Sequence, residues 1–193
     1  MEKEKHHAKE IFTHEGNVSV FPQVNFANPE LKMHVQELGF DPQLFQDLIT
    51  LNYNQWDGSP VSTPYPQDQP VEELIIRTAT TGDNRKVEVT EVTAYEPSKM
   101  ITRLVGKPNQ SIGFEAVYVT EGSMTYDILK EFEYNDGSCI NTGKGCNSIE
   151  LKSGDLLIIP RPVARQITDV KPGTKYVYLG DPWTDDDKPQ EVS

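Results

Sequence analysis

Four side chains in this sequence combine a reactive group with apolar company. Successive strand residues face opposite ways, so positions two apart share a face. On "FEAVYVTEG" Glu115 goes with Val117 and Val119, and on "ARQITDV" Arg165 goes with Ile167. On "KMITRLVG" Arg103 goes with Ile101 and Val105, and on "MTYDILKEF" Tyr126 goes with Met124 and Ile128. An arginine presents a planar fork of donors suited to a carboxylate, phosphate or enolate oxygen. A glutamate in partly apolar surroundings exchanges protons closer to neutrality, and a tyrosine hydroxyl donates. Plainer roles compete: Arg103 on an edge strand facing solvent, and Tyr126 as a core aromatic with its hydroxyl at the rim.

Other chemistries lack their residues. All four histidines precede residue 35, so a Ser–His or Cys–His catalyst would need the N-terminal arm to fold over the rest. No Gly-x-Ser-x-Gly elbow occurs, "TGKGCNS" lacks phosphate-loop spacing, and "TDDDK" lacks the calcium-loop pattern. Cys139 and Cys146 have no nearby Cys or His to complete a metal site and are expected as free loop thiols ahead of a disulfide. The net charge of -12 excludes a global basic footprint for nucleic acid. No apolar run reaches the roughly 18 residues of a membrane span, and "MEKEKHHAKEIF" lacks a signal-peptide apolar block, so a cytoplasmic protein is expected.

The elements that must position these residues fall in two blocks. Residues 1–26 read as an arm or leading strand. Asn28 and Pro29 open a helix on which Leu31, His34, Val35 and Leu38 recur before Gly39; Asp41 and Pro42 open a second with Leu44, Phe45, Leu48 and Ile49. Both stripes read as packing faces. The Pro-rich 53–70 reads as a loop or crossing segment. From about residue 71 the period becomes two, with strands expected at 86–95, 99–106, 114–122, 124–134, 148–160, 164–170 and 174–180, a pattern of a sandwich or barrel. The expected organisation is residues 1–70 as arm, helices and crossing segment packed on a barrel, 71–183 as the barrel, and 184–193 as an acidic tail.

Two strand pairs resemble the cupin superfamily. Glu115, "AVYVTE" and Gly122 match the end of the first cupin motif; Gly154, "DLLII" and Pro160 match the opening of the second. The resemblance spans about residues 86–180 and implies a mainly β, cupin-like double-stranded β-helix (jelly-roll) barrel with two short N-terminal helices. It also implies that Glu115 and Arg165 both face the interior. Metal-binding cupins carry a His-x-His pair ahead of the Glu; here "KPNQSIGF" offers Asn109 and Ser111, or Pro108 and Gln110. Arg165 stands at the second-motif histidine position and Pro162 at its usual glycine. A guanidinium is not a metal ligand, so no imidazole-held metal and no cofactor are expected.

Three readings follow from this departure. A Glu115–Arg165 pair is either a structural ion pair filling the metal's place or an acid/base group beside a fixed cation. The leading expectation is a metal-independent isomerase, epimerase, cyclase or lyase acting on a small oxygen-rich or anionic molecule. Its catalytic residues would be Glu115, Arg165 and Tyr126, with Arg103, Asn109, Ser111, Val117 and Ile167 lining the ligand. The alternatives are a non-catalytic ligand-binding cupin, and a metal enzyme with Glu115 and Asn109 or Gln110 holding Mg, Mn or Ca. A homodimer is expected, without nucleic-acid or membrane partners.

Overall fold

The computed structural model describes residues 9–12, 17–65, 72–95, 101–105, 112–129, 132–135, 138–141, 146–160 and 163–182. It places β1 (Lys9–Phe12), β2 (Asn17–Phe21), α1 (Pro29–Glu37), α2 (Pro42–Ile49), β3 (Val61–Tyr65), β4 (Glu72–Thr80) and β5 (Lys86–Ala94). There follow β6 (Ile101–Val105), β7 (Glu115–Glu121), β8 (Ser123–Leu129), β9 (Phe132–Asn135) and β10 (Ser138–Asn141). The chain ends its described part with β11 (Cys146–Lys152), β12 (Leu156–Ile159), β13 (Val163–Thr168) and β14 (Lys175–Gly180).

Strand order defines the fold. The larger sheet runs β1-β2-β12-β7-β14-β5-β4-β3 and the smaller one β11-β8-β13-β6. From β5 onward the chain alternates between the two sheets, except that β8 and β11, on either side of the β9–β10 hairpin, pair with each other in the smaller sheet. Their inner quartets, β12-β7-β14-β5 and β11-β8-β13-β6, give the jelly roll of the cupin type. The first 70 residues contribute to this architecture directly, because β2 pairs with β12 and β3 pairs with β4.

Alternation divides the apolar residues into two cores. Val117, Met124, Ile128, Leu151 and Leu157 fill the space between the sheets. Leu31, Val35, Phe45, Leu48, Phe114 and Leu156 form a second core where the helices cover the outer face of the larger sheet. The helices are punctuated as the sequence predicts: Asn28 accepts from the Glu30 N–H at 3.0 Å and Asp41 from the Leu44 N–H at 2.8 Å, with a proline following each cap. His34 is half-buried and stacks at 6.0 Å against Phe21, a packing role.

Two glycines of the resemblance sit where side chains do not go. Gly122 turns β7 into β8 at φ +80°, with Thr174 packed against it; Gly154 turns β11 into β12 at φ +93°, against the Gln23 amide. The expected strand 148–160 therefore contains two strands parted by this second turn, and 124–134 holds β8 and the start of β9. β3 and β4 were not among the expected strands. β3 carries Pro64 and lies at the sheet's edge, where a missing donor is tolerated. Cys139 and Cys146 fall within β10 and β11 rather than in a loop.

β4 brings an unusual group to the interior. Glu72 lies opposite Ala94 and is 5% exposed, and burial pushes its carboxyl up from the ordinary 4.5 to about 7. Between those values the folded chain holds a proton that the unfolded chain has released. The contribution of Glu72 to stability is therefore fully present below pH 4.5, falls as pH rises toward 7 and levels off above it, a loss of up to about 3 kcal/mol. Glu72→Gln has no such proton to lose. Thermal melts across this range should show the variant gaining on the native protein as pH rises to 7, then holding a constant lead; parallel curves would contradict the assignment.

Candidate functional site

Glu115 and Arg165 meet inside the barrel, each 1% exposed. Glu115 opens β7 and lies opposite Ile159 of β12, while Arg165 lies on β13 between Ile128 of β8 and Arg103 of β6. The Arg165 Nη2 donates to Glu115 Oε2 at 3.0 Å. Its Nε approaches Oε1 at 2.9 Å, but the N–H is not aimed for a hydrogen bond, so this second contact is ionic. Nη1 has no partner among the described residues.

Tyr126 completes a compact group. Its hydroxyl makes a long 3.5 Å contact to Glu115 Oε1, and the Arg165 guanidinium stands over its ring at 5.7 Å. Burial, reinforced by the Glu115 charge, holds the Tyr126 hydroxyl well above its usual range, so it stays a neutral donor. Burial works to lower the Arg165 value, but Glu115, with Tyr126 and Tyr178, pushes it above the ordinary arginine range. The cation is therefore permanent.

Val117 and Ile167 lie in the interior core beside this group, on the faces that alternation assigned to them. Arg103 occupies the β6 position opposite Arg165; its side chain, with Asn109 and Ser111, lies outside the described residues. A metal at the cupin position does not fit Glu115 and Arg165, because the carboxylate that would ligate it is held by a guanidinium. Among the described residues no three His, Cys, Asp or Glu side chains converge to hold a metal ion.

Sequence reading missed the residue that aims Glu115. Asp181, just after β14, is buried and accepts from the backbone N–H groups of Ile112 at 2.7 Å and Gly113 at 2.8 Å. Both carboxylate oxygens are thus spent fixing the approach to β7, two residues before Glu115. "GDPW" looks like a turn, and nothing local in it announces a partner 68 residues away.

Three solved structures show a partial likeness to this chain. The cupin domain of Drosophila melanogaster CENP-C is 11% identical with TM-score 0.40, covering 80% of this chain and 100% of that one. A protein of unknown function (DUF1255) from Acinetobacter sp. ADP1 is 12% identical with TM-score 0.39, covering 67% and 97%. KdgF from Halomonas sp. is 14% identical with TM-score 0.38, covering 72% and 94%. No family model and no curated protein matches the chain. At such identities a residue's role does not transfer. No helix among the described residues is long and apolar enough to cross a membrane.

Two outcomes test this geometry. Glu115→Met or Arg165→Met alone strands a buried charge and should cost about 3–5 kcal/mol in urea unfolding, whereas the double substitution should recover most of the loss. Additive losses would mean the two charges do not depend on each other. Asp181→Ala should cost about 2–4 kcal/mol, with Asp181→Asn losing less because one acceptor remains; equal stability of all three would remove Asp181 from its clamping role.

Proposed function

We propose that the barrel binds a small, oxygen-rich organic anion at Arg165 and performs metal-independent acid/base chemistry on it with Glu115 and Tyr126. The observation that carries this reading is the buried Arg165: its Nη2 holds Glu115 while Nη1, on the same planar fork, has no described partner. A fixed cation in a site sheltered from water favours charge that develops on a neighbouring oxygen. Glu115 takes a proton from the carbon next to a carboxylate or carbonyl, and the released electron pair moves onto oxygen as an enolate beside Arg165 and the Tyr126 hydroxyl. Return of the proton to either face, or to another carbon of the enolate, gives epimerisation or isomerisation; loss of a leaving group from the next carbon, with a proton, gives elimination. Arg103, at its register position opposite Arg165, would add a second cation.

A second reading is binding without turnover. It is favoured by the engagement of both Glu115 oxygens with Arg165, which leaves the carboxylate less available as a base. Incubation with a panel of hydroxy- and keto-carboxylates in deuterated water separates the two. Under the enzymatic reading, deuterium enters the α-carbon of one panel member and Glu115→Gln stops this, while the same compound still raises the melting temperature. A stabilising compound with no exchange points to binding alone. Exchange that survives Glu115→Gln removes Glu115 as the proton carrier.

A further inference from the structure

The row of residues beside Glu115 on the larger sheet carries several buried polar groups. β5 sends Glu88 and Thr90 to the same face as Val92 and Ala94, which belong to the barrel core, and both polar residues are buried. Register continues the row: Glu88 lies opposite Gly180, and Thr90 lies opposite Tyr178, which in turn lies opposite Val117. Leu179 pairs with Ala116, so Gly180 is the next residue along and lies beside Glu115. Glu88, Gly180 and Glu115 thus stand side by side on three adjacent strands, spanning about 10 Å at ordinary strand spacing.

Gly180 leaves room that Tyr178 fills. A Cβ at Gly180 would collide with the Tyr178 hydroxyl and meet its Cζ at 2.8 Å, so the phenol folds flat over the glycine. Its oxygen therefore lies in the gap between the two glutamates, and Tyr178 is close enough to act electrostatically on Arg165. Thr90, next to Tyr178 in register and 5% exposed, has a hydroxyl with no partner among the described residues. A second unengaged polar group thus lies in the interior with Arg165 Nη1.

We infer that Glu88, Thr90 and Tyr178 form a hydroxyl-reading subsite, so that the ligand is a short polyhydroxylated monocarboxylate. This rests on the proposal that Arg165 holds an anion. The ligand's carboxylate lies at Arg165, the one described cation of the group, and its hydroxyls run along the row, donating to Glu88 and exchanging hydrogen bonds with Thr90 and Tyr178. A second anionic group at the far end is disfavoured, because it would face Glu88.

Calorimetry with D-gluconate, D-galactonate and D-mannonate, against hexanoate as an anion of equal chain length without hydroxyls, tests the assignment. At least one aldonate should bind more tightly than hexanoate. Thr90→Val and Tyr178→Phe should each weaken that aldonate about tenfold and leave hexanoate unchanged. Using both variants keeps the test alive if one fails to fold. If Arg165→Met abolishes binding of hexanoate and aldonates alike, but the native protein does not prefer the aldonates, the subsite is overturned and the anion site stands. If neither class binds the native protein, both the subsite and the anion site fall.

Discussion

The interior of this barrel is organised around one demand: a glutamate and an arginine buried together must satisfy each other. Neither charge tolerates the space between two sheets alone, and removing either partner costs about 3–5 kcal/mol. Their meeting requires β7 and β13, which lie in different sheets, to present residues 115 and 165 at the same height. Much of the remaining architecture holds that height: the turns at Gly122 and Gly154, the Asp181 clamp, and Tyr126 beneath the guanidinium.

The same pair also commits the Glu115 carboxylate to a guanidinium. A metal site uses carboxylate oxygens as ligands and leaves a position open for substrate. Here the guanidinium takes the carboxylate and keeps a donor in hand. The guanidinium is a permanent cation, so its field needs no loading from solution.

Much of this was readable from residues. Asn28–Pro29 and Asp41–Pro42 announced the helices because capping is a local matter, and the caps form as the sequence predicts. Alternation grouped Glu115, Tyr126 and Arg165 with apolar neighbours, the cupin resemblance turned Glu115 and Arg165 inward, and the Gly154 turn was absorbed into one expected strand. β4 escaped notice because "EELIIRTAT" mixes charge into both faces and has no clean period of two, and β3 because proline argues against a strand unless its edge position is known. Glu88, Thr90 and Tyr178 carry no motif; they become a group only through register between β5 and β14. The clamp from Asp181 to Ile112 joins a side chain to backbone donors, which imposes no residue type on its partner.

That clamp also has a temporal side. Asp181 reaches back 69 residues to Ile112 and follows directly on β14, which pairs with both β5 and β7. Closing so long a loop is entropically slow, and local contacts form first. The helices and the β4–β5 hairpin can therefore organise early, while the geometry around Glu115 is completed only when the last strand docks. The meeting of Glu115 and Arg165 is thus tied to the last strand of the fold, and a chain lacking that strand does not hold the approach to β7 in place.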